Sequence, residues 1–391
     1  MRIILILTLL ALFIELDAQK ASESFPVDNI ALQIPDSLTK TTSGLASFIN
    51  SNFSSQKDKS RAIFIWIAKN IQYDIENMFA INFYQNSKET VEKVLNTKKG
   101  ICMHYAELFT DLANQVGIKS LVISGYTKQN GFVDYIPHAW CAGLIDSTWY
   151  LFDPTWGSGY IQNAKFIRQV NNYYFMAKAE QLIKSHMPFD PLWQFLNYPI
   201  TNQEFYESKF QINKSKPFFN YKDTLSNYEK MPEIEQLQSS FRRIEANGVK
   251  NSLIFERLQH NKREIEYYQN NKIVELFNSA TNMYNDGIGQ LNTFINYRNN
   301  QFTPKKSDSE INQMVDLAEI SFKNSREKLK EIKAPDSNIT TSILQLNKSL
   351  EEATLNLNEQ KAFLEKYFST GKLFRKSLFY KYTWMGIPIG K

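Results

Sequence analysis

The chain has 391 residues, of which 43% are apolar and 14% aromatic, too rich in core-forming side chains for a disordered polymer and too long for one average domain. Two cysteines exclude a disulfide scaffold, so the fold must rest on an apolar core, for which the length is ample. The net charge of +5 is modest for this length and gives no whole-chain signature of nucleic-acid binding.

The chain begins with Arg2 and an apolar run from Ile3 to Ile14, followed by Leu16-Asp17-Ala18 and a polar stretch. A positive start, a short apolar run and a small exit residue read as a secretory signal over residues 1–18. The run is short for a membrane span, and an uncleaved anchor is the lesser alternative. No cysteine follows it, which argues against a lipoprotein anchor. Export to the periplasm or the extracellular space is expected, an oxidising setting in which a lone thiol is at risk.

A helix is predicted from Cys102 to about Gly117. Cys102, Ala106, Phe109, Ala113 and Val116 form one apolar stripe at helical spacing, with Glu107 and Asp111 opposite. Gly100 lets the chain turn sharply into the helix, and Gly117 suits its close. Cys102 thus falls in the first turn, where unpaired N–H groups and partial positive charge favour a thiolate and can hold an oxyanion. A strand meander follows: Leu121 to Tyr126, a turn at Asn130-Gly131, a return from His138 to Ile145, a turn at Asp146-Ser147, and a third strand from Trp149 to Asp153. An even loop between the last two strands puts His138 and Asp153 on one sheet face, opposite or diagonal to each other. Pro154 ends the strand at Asp153.

Taken in order, Gly100-Ile101-Cys102 with Tyr105-Ala106, Gly125-Tyr126, His138-Ala139-Trp140 and Asp153-Pro154-Thr155-Trp156 resemble the core motifs of the transglutaminase-like superfamily. Trp66 and Asn70-Ile71-Gln72-Tyr73-Asp74 resemble that family's first helix and its exit. His186-Met187-Pro188 through Trp193-Gln194 is similar to the bacterial branch related to kyphoscoliosis peptidase. The resemblance covers roughly residues 30–200. It implies an α+β, papain-like core, an antiparallel sheet packed on a Cys-bearing helix. It also implies Cys102 as nucleophile, His138 as base and Asp153 as the acid that orients it. The family holds crosslinkers, peptidases, deamidases, amide hydrolases and inactive binding modules, so the reaction class stays open.

The remaining candidates are weighed beside these. Tyr73 is a candidate second donor to an oxyanion. Trp140, on the His138 face, is read as a cleft wall, and Tyr126 and Trp156 as neighbours of the same cleft. His104 departs from the small residue common at its place in the family. At two residues from Cys102 it points about 200° away around the helix and is read as a solvent-edge or supporting histidine. His186 sits in a Pro-flanked loop and His260 in a polar helical stretch. Neither has a ligand-spaced partner, so no metal is expected. Cys141 lies three residues beyond His138 on a strand. If His138 faces Cys102, Cys141 faces away, which disfavours a bridge.

The character of the chain changes near residue 200. Three polar helices with short connections are predicted: Leu253–Asn300, one from Ser307 to Ile332, and one from the Ala334-Pro335-Asp336 break to about Phe368. They read as an antiparallel bundle or hairpin with a solvated, mixed-charge face. From Thr370 to Lys391 the chain carries five basic residues and no acid, interleaved with Phe374, Phe379, Tyr380, Tyr382 and Trp384. Such a tail can meet anionic lipid or a nucleic-acid strand. An exported protein seldom meets the latter, and folding back onto the body is favoured over both. The domain reading is a signal at 1–18, a transglutaminase-like domain at 25–200, a connector at 201–250, a helical domain at 251–370 and a tail at 371–391. The expected activity is cysteine-dependent acyl transfer on peptide or protein amides, with no cofactor and a protein partner for the helical domain. The alternative is a non-catalytic binding module with a helical assembly surface.

Overall fold

The structure is a computed structural model that describes residues 25–80, 87–333, 335 and 337–380, with the backbone of 383–384 and 387–388. The signal-like segment 1–18, Ala334 and Asp336 of the predicted break, and the side chains of Tyr382 and Trp384 lie outside the described residues. Among the described residues, no helix is long and apolar enough to cross a membrane. The chain divides into two compact units, residues 1–263 and 264–391.

In the first unit, helices Thr42–Asn52 and Gln56–Asn70 begin where Thr41 and Ser55 accept hydrogen bonds from the N–H groups of Gly44 and Asp58. The second of these helices is buried continuously from Ser60 to Ala68. Its one charged member there, Arg61, is forked onto Asp28 at 2.7 and 2.6 Å and donates to Asn172 at 2.8 Å, so the buried cation is fully paired. Strands β1 (Gln72–Tyr73) and β2 (Lys99–Gly100) form a short parallel pair on either side of helix Ser87–Thr97. Helix Cys102–Gln115 follows, and the stripe Cys102, Ala106, Phe109, Ala113 and Val116 is buried throughout. Gly117 follows the helix at φ +83°, a conformation that glycine adopts without strain.

The main sheet contains β3 (Ser120–Gln129), β4 (Phe132–Ile145) and β5 (Thr148–Phe152), and β8 (His186–Pro188) at the far edge. A separate hairpin, β6 (Gly159–Gln162) with β7 (Lys165–Arg168), lies between them in sequence. The order is β5-β4-β3-β8 and every pairing is antiparallel. Both two-residue turns, Asn130-Gly131 and Asp146-Ser147, have positive φ at both positions, the geometry that matches strand twist in tight hairpins.

The faces of the sheet have different covers. Ala139, Cys141 and Phe152 pack against helix Cys102–Gln115, with the Phe109 and Phe152 rings 4.8 Å apart. Ile123, Trp140, Ala142 and Leu151 pack instead against Leu182, Leu192, Phe195 and Leu225. This corrects the premise about Cys141. It faces the body of the Cys-bearing helix, where its Sγ donates to the Ala106 carbonyl at 3.4 Å. Both cysteines are nonetheless free. Cys102, in the first turn of that helix, still reaches His138 with a side-chain hydrogen bond.

Residues 201–250 pack on the first unit rather than spanning a gap. Helices Asn202–Tyr206, Tyr221–Tyr228 and Glu233–Ala246 each bury a narrow apolar edge through Phe205, Leu225 and Ile244. Arg243 forks onto Asp190 at 2.7 Å through both nitrogens. The polar composition after residue 200 reflects the thinness of those edges. In the second unit, helices Asp308–Glu331 and Ser337–Ser369 join the part of helix Ser252–Asn299 that follows Arg263. Ser325 Oγ donates to the Ala280 carbonyl and Ser321 Oγ to Gln290, so the first and second helices run antiparallel. Arg326 reaches Thr354 while Lys361 reaches Glu319, which makes the second and third antiparallel too. Phe379 of the basic tail packs on Phe302 at 5.5 Å, Arg375 pairs with Asp308, and Phe374 remains 70% exposed.

Candidate functional site

Cys102 is the first residue of its helix, entered from extended backbone at Ile101. The tight approach explains Gly100: a Cβ there would lie 2.6 Å from the Cβ of His104. His104 caps the helix, its Nδ1 accepting from the Ile101 N–H at 2.9 Å. Burial and nearby Lys93 push its pKa below the ordinary histidine value, which suits an acceptor nitrogen. The histidine that departs from the family pattern therefore belongs to the turn that presents Cys102.

Cys141 pairs with Phe152 across β4 and β5, so the register sets Trp140 against Asp153 and leaves His138 as the diagonal neighbour on the same face. His138 Nε2 lies 2.8 Å from Asp153 Oδ2. Asp153 Oδ1 accepts from the N–H groups of Thr155 at 2.8 Å and Trp156 at 3.0 Å, in the turn that Pro154 forces. Burial alone would lower the His138 pKa. The Asp153 charge and hydrogen bond, with a hydrogen bond to Cys102, override it and raise the value to about 10. Burial likewise opposes the Asp153 charge, but His138 and His186 hold the carboxyl well below the usual range. With Nε2 committed to Asp153, Nδ1 is the ring nitrogen left for Cys102. Cys102 as a residue is 1% exposed.

His186 is the residue that sequence reasoning misplaced. It stands in β8, not in an unpartnered loop, and its Nε2 lies 2.9 Å from the same Asp153 Oδ2. Its Nδ1 is 2.8 Å from Ser185 Oγ. Strands β8 and β5 are opposite edges of the sheet, yet the sheet curls until residues at the two edges touch. The bare Gly125 between them allows it: a Cβ there would meet Trp140 Cη2 at 2.6 Å and the Met187 carbonyl oxygen at 2.1 Å. Asp153 and His186 are separated by 33 residues, so no spacing rule pairs them. The signal present was the His186-Met187-Pro188 motif itself.

A cleft of about 660 Å³ opens over this cluster, lined among others by Tyr73, His138, Trp156, Phe166, Tyr174 and Ser185. Burial, with the charges of Cys102 and Asp153, raises the Tyr73 pKa, so its phenol keeps its proton. Trp156 lines the cleft with its ring 5.6 Å from that of His138. Trp140 is buried behind His138, stacked at 6.1 Å, as a wall at the back of the ring and not of the cleft. Tyr126 is placed elsewhere. It is buried among Met187, Phe189 and Phe205, with its hydroxyl donating to Asn202 at 2.8 Å. Lys128 also borders the cleft, but its ammonium is spent on the carbonyls of Phe205 and Tyr206 and on Ser208.

His138, Asp153 and His186 have donor atoms within 4.8 Å of one another, the closest approach to a cation-binding set among the described residues. Both imidazoles already use Nε2 on one carboxylate oxygen. An ion would have to displace both hydrogen bonds, so the arrangement fits a hydrogen-bonded His–Asp–His cluster and not a coordination shell.

Residues 44–154 match the family model of the transglutaminase-like superfamily. The first unit therefore carries a transglutaminase-like domain, with the papain-like α+β core that the motifs imply. The chain is 32% identical over 164 residues to the kyphoscoliosis peptidase of Mus musculus, covering 40% of this chain and 24% of that protein. It is 25% identical over 199 residues to hillarin of Drosophila melanogaster, covering 46% of this chain and 24% of that protein. The chain thus spans about a quarter of the length of these relatives. Among solved structures, the periplasmic domain of TgpA from Pseudomonas aeruginosa is similar at 20% identity and a TM-score of 0.25, over 35% of this chain and 49% of that one.

Proposed function

We propose that the chain is an exported cysteine-dependent enzyme that transfers acyl groups from peptide or protein amides through a thioester. The supporting observation is the His138 ring, held between Asp153 at Nε2 and Cys102 at the remaining nitrogen. In this reading the Cys102 sulfur attacks the amide carbon while His138 carries the proton. The oxyanion is met by the protonated Tyr73 phenol and by N–H groups of the first helical turn. As the C–N bond breaks, His138 gives its proton to the leaving amine. Water then yields an acid, or an amine yields a new amide, with Cys102 regenerated in either case. Asp153 keeps the ring oriented and stays ionised throughout. The peptidase name of the mouse relative agrees with the hydrolytic branch. No metal or organic cofactor enters this scheme, and the helical unit is proposed as a protein-binding surface.

The test is alkylation of the full chain by iodoacetamide. Cys102 should react much faster than free cysteine, Cys102→Ser should abolish labelling there, and His138→Ala should slow it sharply at a temperature where that variant is shown to be folded. A rate equal to that of free cysteine and indifferent to His138→Ala overturns the enzyme. A second reading, a module that binds peptide in the cleft without acylation, draws on the 1% exposure of Cys102 and then takes its place. Export is tested separately. The mature chain should begin at or near Gln19, and intact Met1 in a soluble cytoplasmic fraction, seen by mass spectrometry, overturns it.

A further inference from the structure

We infer that Ser185 and His186 form a second arm on Asp153, and that His186 is a positioning residue that keeps the carboxylate aimed at His138. The inference rests on the reading of Cys102, His138 and Asp153 as the reacting set. His186 is 1% exposed and clamped by the rings of Trp156 at 4.6 Å, Trp140 at 5.1 Å and Tyr174 at 5.9 Å.

The proton positions follow from the partners. An ionised carboxylate only accepts, so His186 Nε2 must carry a hydrogen toward Asp153 Oδ2. In a neutral ring Nδ1 is then an acceptor, and the Ser185 hydroxyl donates to it. Burial pushes the His186 pKa below its ordinary value despite Asp153, which keeps the ring neutral. One oxygen of Asp153 thus faces a charged imidazole and a neutral one. His186 adds a donor without adding a second positive charge to compete with His138. Without it, Oδ2 has one partner, and only the Thr155 and Trp156 N–H groups on Oδ1 restrain the carboxylate. The other titratable groups near the pair are Tyr73 and Tyr174, kept neutral by burial, and Cys102, while Cys141 lies on the opposite sheet face within electrostatic reach of Asp153. Asp134, which accepts from Thr127, faces His186.

The test compares His186→Phe, His186→Gln and Ser185→Ala in the full chain. Gln can offer an N–H near the place of Nε2, and Phe cannot. Carbon-13 NMR of labelled aspartate follows the Asp153 carboxyl with pH, and iodoacetamide follows Cys102. In His186→Phe the carboxyl midpoint should rise by about one pH unit or more, and labelling should slow about ten- to hundredfold. His186→Gln should restore most of both, and Ser185→Ala should move both in the same direction by less. A midpoint unchanged in a His186→Phe protein that melts like the parent overturns the inference. Should that variant not fold, a midpoint unchanged in Ser185→Ala does so. A parent Cys102 no faster than free cysteine overturns the underlying reading instead, and the carboxyl titration still decides the role of His186.

Discussion

The Trp140 ring lies across Gly125, at a point where a single added carbon would be 2.6 Å from Trp140 Cη2. The same carbon would be 2.1 Å from the Met187 carbonyl oxygen and 2.7 Å from the Pro188 Cα, both backbone atoms of β8. Gly125 is therefore what lets β8 and Trp140 close on each other and brings His186 to Asp153.

Gly125→Ala should destabilise the first unit by about 1–3 kcal/mol, because backbone cannot step aside as a flexible side chain would. The melting temperature should fall by several degrees, and Cys102 labelling should slow as β8 is pushed away. A variant that melts and labels like the parent contradicts this account of the curl.

Asp153→Asn should leave the shape of the site intact and still slow Cys102 labelling by about a hundredfold or more. An amide presents N–H groups as well as a carbonyl, and only one orientation can serve His138 Nε2. It also removes the charge that holds the imidazole protonated. Labelling rates within a factor of about two of the parent would contradict the role given to Asp153.

The pair sets a pH window for stability. Asp153 has a folded value below its unfolded value of about 3.9, so its contribution is present above that pH and is lost as pH falls through the folded value. His138 is raised to about 10 from about 6.5, so its contribution is complete below about pH 6.5 and is lost as pH rises through about 10. His186, lowered and buried neutral, makes its own contribution above about pH 6.5 and loses it as pH falls. The gap in melting temperature between parent and Asp153→Asn should be widest between about pH 4 and 6.5 and narrow toward pH 10. A gap constant from pH 4 to 10 would show that the ion pair contributes nothing.

Local rules carried the first unit a long way. The stripe from Cys102 to Val116, the turns at Asn130-Gly131 and Asp146-Ser147, and the stop at Pro154 are properties of neighbours in sequence, and each stands where those rules put it. The helices of the second unit begin and end within a few residues of the capping and breaking signals, as at Ser307 with Glu310. Tyr126 was misjudged because alternation gives a face and not its cover. Its face is closed by helix Asn202–Tyr206, which lies 76 residues away where it accepts the Tyr126 hydroxyl.

The sequence by itself determined the order thiol, imidazole, carboxylate, the helix start under Cys102 and the shared face of His138 and Asp153. Periodicity, turn chemistry and register are short-range, and they act before any distant segment arrives. Only the tertiary structure decided that the Cys-bearing helix covers the Cys141 face, that residues 201–250 belong to the first unit, and that His186 meets Asp153. Those outcomes depend on which surfaces bury each other and on how far the sheet curls, a sum over contacts between segments far apart in the chain.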